Sequence, residues 1–185
     1  MTLKAVPGPH RTEGYTLTEL LICIALVGLL GGMSTLGFLN QMRSEKANAI
    51  AVEIAGWLAN VHRAALRGRR CEISFDTSGA ILQPGSPLAV ASEPSSSQLP
   101  IANSCLSYTP LQIGSVEPST GFRLSSNDAS FAFTPRGTIT GTNTPTVVIG
   151  ITLTEGGLPH CVEIDGMLGL VSVGHLVNNQ CEAPA

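Results

Sequence analysis

Charged and aromatic residues are scarce in this chain, and their scarcity limits what its surface can bind. Of its 185 residues, only 12% are charged and 4% are aromatic. Beyond Cys71 the only basic residues are Arg123 and Arg136, against nine Asp and Glu residues. Because nucleic-acid affinity depends on many Lys and Arg contacts with phosphates, this acidic distal part is a poor candidate for a nucleic-acid-binding surface.

Motifs that carry catalysis or hold cofactors are also missing. The sequence has no G-x-S-x-G nucleophile turn, no H-E-x-x-H zinc pair, no C-x-x-C pair and no phosphate-binding glycine loop. His160 and His175 lack ligand spacing, and the neighbouring carboxylates Glu163 and Asp165 are weak evidence for acid–base catalysis. The sequence therefore predicts no catalytic residue, no metal site and no cofactor, in a protein that is not an enzyme.

One of the five cysteines lies near the start of the chain, and the other four lie in the region 71–181. Cys23 lies inside a long apolar run, where a small packing residue is expected. The other four, Cys71, Cys105, Cys161 and Cys181, permit two disulfides in an oxidising compartment, with three possible connectivities. We favour Cys161–Cys181, because this bond would pin a C-terminal tail that has little apolar content of its own.

A long apolar run begins after Glu19, and no further charge appears before Arg43. The stretch 15–42 shows no polar face, and about 20 helical residues at 1.5 Å each cover a bilayer core of about 30 Å. We therefore expect a membrane-spanning helix over 15–42. The polar residues 1–14 form a short leader, whose basic residues indicate the cytoplasmic side.

An amphipathic helical pattern over 43–70 continues from this run. Apolar residues recur every three or four positions, which is typical of one buried stripe. The stripe consists of Ala47, Ile50, Ile54, Trp57, Val61 and Ala65. Gly68 is the expected end of the helix, because glycine is favoured just beyond a helix C-terminus.

Arginines cluster around that end, at Arg63, Arg67, Arg69 and Arg70. Cations stabilise a helix C-terminus, and most charge runs are solvated faces, which is the interpretation we favour. The alternative interpretation is a nucleic-acid contact surface.

Residues 71–185 are predicted to form a β-rich globular domain. Polar and apolar residues alternate over 71–76, whereas the proline- and serine-rich stretch 83–104 is expected to be a surface loop. Further strands are predicted at 80–82, 122–124, 130–133, 146–153, 161–164 and 168–173. Asp165-Gly166 between two such runs predicts a tight hairpin turn.

The junction before the apolar run, Gly14-Tyr15-Thr16-Leu17-Thr18-Glu19, resembles the type IV prepilin motif. The resemblance implies that a prepilin peptidase cuts after Gly14 and methylates the new N-terminus at Tyr15. It also implies that Glu19, the fifth mature residue, pairs with that amine on a neighbouring subunit during assembly. A carboxylate in an apolar zone needs such a partner. The alternative is that Glu19 only reaches polar surroundings from near the helix end.

A second stretch, Phe131-Ala132-Phe133-Thr134-Pro135-Arg136-Gly137, resembles the Phe-x-Pro-x-Gly element of GspH/FimT-type minor pilins and pseudopilins. The resemblance implies an α+β fold in which a long N-terminal α-helix packs on a C-terminal antiparallel β-sandwich. That helix would have a membrane-spanning half and an amphipathic half. Some members bind DNA through arginines of the C-terminal hairpin, but residues 165–170 here contain no basic residue. DNA binding by that route is therefore not expected.

The expected function is structural. The chain would be a minor pilin or pseudopilin that primes, caps or decorates a type IV pilus or a type II secretion pseudopilus. Its expected partners are the prepilin peptidase, other major and minor pilins or pseudopilins, and the inner membrane, which it would cross once with its globular domain in the periplasm. Two alternatives stay open: a DNA-binding minor pilin in DNA uptake, and a membrane-anchored exported enzyme.

Overall fold

The computed structural model of the chain describes residues 16–93, 104–106 and 110–183, and describes their side chains except at 29–37 and 104. Contacts divide the chain into two compact units, 1–38 and 39–185. The predicted leader 1–14 and the predicted N-terminus Tyr15 lie outside the described residues.

The helix α1 extends over Leu17–Ala65, a length of 49 residues. Thr16 caps its start, because the Glu19 N–H donates to the Thr16 hydroxyl at 3.3 Å. Beyond its end, Gly68 has a φ of +97°, a conformation that glycine adopts without strain, and the Arg69 N–H donates to the Ala65 carbonyl at 3.1 Å. Gly68 is thus the helix stop that the sequence predicts.

Among the described residues, no helix is both long enough and apolar enough to span a bilayer. The predicted membrane-spanning helix over 15–42 and the predicted single-pass inner-membrane location are therefore wrong.

The predicted fold class is corrected as well. The expectation was one long helix, half in the membrane and half amphipathic, packed on a β-sandwich. In the structure the boundary between the two units falls within α1, after Phe38, and the buried side chains among those described in α1 begin only at Ala47. The second unit is β-rich, and only the later part of α1 contributes to its core.

Ten described strands form two antiparallel sheets of five strands each. The strands are β1 (Cys71–Phe75), β2 (Pro87–Ser92), β3 (Leu111–Gln112), β4 (Phe122–Ser126), β5 (Ser130–Phe133), β6 (Ile139–Thr140), β7 (Thr146–Leu153), β8 (His160–Asp165), β9 (Val171–Val177) and β10 (Gln180–Glu182). Sheet A has the order β3-β2-β1-β5-β6, and sheet B has the order β10-β9-β8-β7-β4. A short 3₁₀ turn, Ser104–Leu106, lies between β2 and β3.

Six of the seven predicted strands are present, and four further strands were not predicted. β5 and β7 occupy the predicted residues, and β1, β4, β8 and β9 overlap theirs, whereas β2, β3, β6 and β10 are not predicted. β2 lies within the expected loop 83–104. Its first residue is Pro87, and proline is tolerated at the first position of a strand. Residues 80–82 supply only one isolated bridge, from Leu82 to Phe122.

The core of the second unit forms around the apolar stripe of α1. Its fully buried helical residues are Ile50, Ala51, Ile54, Leu58, Val61 and Ala65, and the large residues of the sheets in the same cluster include Phe122, Phe131 and Phe133. Trp57, expected on the stripe, is only partly buried and meets the Phe75 ring edge-on with centroids 6.3 Å apart. Leu58 occupies the centre of the buried face instead. It lies four residues after Ile54 and three before Val61, and residues at these spacings share one face of a helix.

Two valines on α1 test this assignment of the buried face. Val61 is 0% exposed and Val52 is 55% exposed. Val61→Ala should lower the free energy of unfolding by about 2 kcal/mol, because it removes buried methyl groups and leaves a cavity. Val52→Ala, the matched control, should leave it within about 0.5 kcal/mol. Denaturant unfolding of the full chain measures both, and equal losses would contradict the assigned face.

Candidate functional site

The described start of α1 presents an apolar surface with one carboxylate. The large side chains from Leu17 to Val27 are more than half exposed, including Leu20, Ile24 and Leu26. Glu19 is exposed beside them, and no ion pair joins it to another residue of the described chain. Folded monomers rarely expose a contiguous apolar patch larger than a few hundred Å², so this surface has the character of a packing surface.

Of the predicted processing and assembly residues, only the assembly residue Glu19 lies in the described part of the chain. Gly14 and Tyr15 lie outside it. The Glu19 backbone is held by the helix cap, with its N–H 3.1 Å from the Thr16 carbonyl and 3.3 Å from the Thr16 hydroxyl. Glu19 is exposed, so its side chain is accessible to a partner.

The arginine cluster is partly used within the fold. Arg63 donates to the Asn60 side chain at 2.8 Å and to the Ala59 carbonyl at 3.3 Å, both one turn earlier in α1. Arg69 forms an ion pair with Glu93 at 2.9 Å. Arg63 and Arg67 line one open groove with Trp57. This arrangement ties two of the four cations to intramolecular partners, which weakens the cluster as a surface for phosphates.

The Phe-x-Pro-x-Gly stretch forms a turn that contacts the end of α1. The His62 Nε2–H donates to the Gly137 carbonyl at 3.1 Å, and the His62 ring lies 4.9 Å from the Phe133 ring. Gly137 has a φ of +85°, and a side chain there would meet both His62 and Leu66. The glycine is therefore required by backbone conformation and by close packing.

The turn between β8 and β9 is longer than the predicted two-residue hairpin. Ile164 pairs with Val171, and the Asp165 carboxylate accepts the Met167 N–H at 2.8 Å. The Gly166 N–H donates to the Pro145 carbonyl at 2.8 Å, and the Gly169 N–H donates to the Asp165 carbonyl at 2.7 Å. Contacts with residues outside the hairpin thus determine the shape of this turn. The local Asp-Gly signal carries no information about those contacts.

Two disulfides are present. Cys161 pairs with Cys181, the bond that we favour from the sequence, with Cα atoms 5.7 Å apart. Cys71 pairs with Cys105 at a Cα separation of 6.0 Å, and Cys23 is free and exposed. The Cys161–Cys181 bond joins β10 to β8 across β9. The Cys71–Cys105 bond joins the start of β1 to the 3₁₀ turn.

Asp128 is a buried carboxylate that the sequence analysis did not identify. It accepts the Asn143 N–H at 3.2 Å, the Asn143 side-chain amide at 3.0 Å and the Thr144 hydroxyl at 2.9 Å. Burial works to raise the pKa of Asp128, but these hydrogen bonds outweigh it and hold the pKa below its ordinary value. Because protein donors occupy both oxygens, we interpret Asp128 as a structural residue that fastens the loop after β6.

His160 and His175 face each other across β8 and β9, with ring centroids 4.5 Å apart. His160 is buried, and a hydrogen bond of 3.2 Å joins its Nε2 to the Ser44 hydroxyl on α1. The Nδ1 atoms of both rings are buried without a partner among the described residues. No group of three or more His, Cys, Asp or Glu residues in the described part of the chain could hold a metal ion.

The comparisons with known proteins leave the chain without a recognised relative. No family model, no curated protein and no solved structure matches it.

Acidification should destabilise the second unit through His160. Burial lowers the pKa of His160, the neighbouring His175 lowers it further, and Glu45 opposes the shift. The unfolded chain therefore binds the proton more readily, so this contribution to stability is complete above the ordinary pKa of about 6.5 and is lost as the pH falls below it. Denaturant unfolding between pH 7.5 and 5 should show the decline in the wild type and a flatter profile in His160→Gln. Identical slopes would contradict the assignment.

Gly169 and Gly156 form a matched pair for the turn between β8 and β9. Both have positive φ, +61° and +83°, but a side chain at Gly169 would collide with the Gly137 carbonyl, whereas the space at Gly156 is open. Gly156→Ala should cost about 1–2 kcal/mol from backbone strain alone. Gly169→Ala should cost about 1–3 kcal/mol more, because the Gly137 turn must also move. Equal costs would show that the turn does not pack on Gly137 in solution.

Proposed function

We propose that the chain is a filament subunit of the pilin class, a minor pilin or pseudopilin of the GspH/FimT type. Its work would be to prime, cap or decorate a type IV pilus or a type II secretion pseudopilus. The second unit would be displayed by the filament, and the first half of α1 would pack against the helices of other subunits.

The observation that carries the proposal is the exposed apolar start of α1, with Glu19 as its one charge before Arg43. A soluble enzyme has no use for such a helix, since its apolar side chains would promote association. Helix packing in a filament would cover these side chains and leave Glu19 in apolar surroundings, where it requires a positive partner.

The processing motif supplies that partner. Cleavage by a prepilin peptidase after Gly14 would create a free amine at Tyr15, four residues before Glu19. An ion pair between Glu19 and the amine of a neighbouring subunit would set the axial register of the helices. This pairing explains a lone carboxylate at the start of an otherwise apolar stretch.

The second unit supports the proposal through its construction. Two disulfides hold its sheets, which fits an oxidising compartment outside the cytosol. We do not extend the proposal to DNA uptake, because Arg63 and Arg69 have partners within the fold and residues 165–170 carry no cation. No arrangement of the described residues favours the alternative of an exported enzyme.

Mass spectrometry of the mature protein tests the processing step. We expect an N-terminus at Tyr15 that carries a methyl group. An intact leader, or cleavage at any other position, would overturn the proposed pilin role.

Substitution of Glu19 tests the assembly step. Glu19→Ala and Glu19→Gln should each reduce the amount of chain recovered in sheared filaments about tenfold or more, because an ion pair in apolar surroundings exceeds the about 1 kcal/mol of an exposed pair. Glu72→Ala, which removes an exposed carboxylate from β1, is the control and should assemble normally. Normal assembly of both Glu19 variants would remove this residue from the mechanism.

A further inference from the structure

Two histidines of sheet B meet the start of the second unit's part of α1. His160, the first residue of β8, lies directly opposite His175 of β9, and their ring centroids are 4.5 Å apart. We call these two residues the histidine pair. On the helix side, the Ser44 hydroxyl lies 3.2 Å from Nε2 of His160. One polar cluster thus connects two strands of sheet B with α1.

The cluster suits neutral imidazoles. A neutral imidazole has one N–H donor and one nitrogen acceptor, and the Ser44 hydroxyl can serve Nε2 of His160 in either role. The Nδ1 atoms of both rings are buried, and neither has a hydrogen-bond partner among the described residues. No acceptor is therefore in place for an additional proton on either Nδ1 atom.

A proton added to the histidine pair would be poorly accommodated. A protonated imidazole has two N–H donors, so the Nδ1–H of His160 would be buried without an acceptor while its Nε2–H faces Ser44. Burying a charge without its hydrogen bonds is costly. Protonation of both rings would also bring two positive charges together, and like charges at this separation disfavour each other.

The charged side chains around the pair do not remove this cost. On the neighbouring parts of α1, the loop before β8, β8 itself and β10, the charged residues are Arg43, Glu45, Lys46, Glu155, Glu163, Asp165 and Glu182. Strands β7 and β9 carry none apart from His175. Glu45 favours a proton on His160, but it is exposed, and burial together with His175 outweighs it and lowers the pKa of His160.

The cluster holds a stretch of α1 that has little other attachment. Among the described side chains of α1, full burial begins at Ala47, so residues 39–46 add no buried apolar side chain to the core. Lys46 forms an ion pair with the exposed Glu117, and exposed pairs contribute little. Residues 39–46 are therefore held to sheet B chiefly by the packing of Gly157 on Arg43 and by the hydrogen bond between Ser44 and His160.

Such a stretch can open without unfolding of the unit. Segments with few buried apolar contacts open at a lower free-energy cost than the core. Opening of residues 39–46 would uncover His160, and water would then accept hydrogen bonds from both N–H groups of the protonated ring. The held state is therefore favoured above the ordinary histidine pKa of about 6.5 and loses its advantage as the pH falls below it.

We propose that Ser44 and the histidine pair form a pH-sensitive latch, which holds residues 39–46 of α1 on sheet B at neutral pH and releases them when the pair takes up a proton. In the released state, the packed part of the helix begins at Ala47. The inference goes beyond the proposed filament role and does not depend on it.

Distance measurements by dipolar EPR on the full chain in detergent test the latch. The free Cys23 is replaced by serine, and nitroxides are attached to cysteines at Met42 and Ser172, which are both exposed. At pH 7.5 we expect one narrow distance distribution. At pH 5.5 a second, broader population should appear, with its ratio to the first raised about tenfold. An unchanged distribution would overturn the inference.

A second pair of labels separates release from unfolding. Nitroxides at Leu66 and Ser172, both exposed, report on the end of α1 beyond the buried stripe. Their distance distribution should be the same at pH 7.5 and pH 5.5, because the residues from Ala47 to Ala65 stay packed. Broadening of both label pairs at pH 5.5 would show that the whole unit loosens, and a local latch would then be wrong.

Substitutions in the cluster test its chemistry with the labels at positions 42 and 172. His160→Gln removes the titrating ring but keeps a group that can hydrogen-bond to Ser44, so the distribution should stay narrow at pH 5.5. Ser44→Ala removes the hydrogen bond, and the released population should already be about fivefold higher at pH 7.5. Glu155→Gln, which neutralises an exposed carboxylate in the loop before β8, is the control and should behave as the wild type.

His175→Gln gives an independent check that does not alter the contact with α1. It removes the neighbouring positive charge, so the released population at pH 5.5 should be smaller than in the wild type. Full release at pH 5.5 in both His160→Gln and His175→Gln would assign the pH response to other groups and would overturn the latch.

Discussion

Burial of one face of α1 is the interaction on which the second unit depends. Ile50, Ile54, Leu58 and Val61 are inaccessible to solvent, and each fully buried side chain of this kind contributes about 1.5–3 kcal/mol. The sum is comparable to the whole net stability of a domain, about 5–15 kcal/mol. The hydrogen bonds at the two ends of this stripe, between Ser44 and His160 and between His62 and Gly137, depend on its packing against the sheets.

The Cys161–Cys181 disulfide stabilises an edge of the second unit that has little support from that core. β10 has three residues and none of them is fully buried, so its pairing with β9 has little apolar support. Cys161–Cys181 holds this strand to β8 and thereby limits the excursions of the chain end. A native disulfide typically contributes about 2–4 kcal/mol, chiefly by restricting the unfolded chain. The second unit is therefore stabilised by both burial and covalent bonds.

Sequence reasoning was reliable for features that neighbouring residues decide. The helix stop at Gly68 and the strand β7 follow from local conformational preference and alternation. The prediction of a membrane-spanning helix was based on the apolar composition of residues 15–42. It is wrong, because no helix of the described chain is both long enough and apolar enough to span a bilayer. The tight hairpin at Asp165 failed for a different reason, since Pro145 and Gly137, both distant in sequence, set the shape of that turn. The pilin resemblance concerns a motif whose first residues lie outside the described structure, so its functional content stays a proposal.

By itself the sequence determined the helical period of the stripe, the glycine that ends α1, the alternation of the longer strands and the set of cysteines able to pair. These depend on residues within a few positions of one another, where backbone conformation and side-chain spacing suffice. Only the tertiary structure decided that His160 faces His175 and that Asp128 is enclosed by Asn143 and Thr144. Those pairings depend on strand register and on how the two sheets close around the helix, and no local pattern encodes the distance between residues that are far apart in the chain.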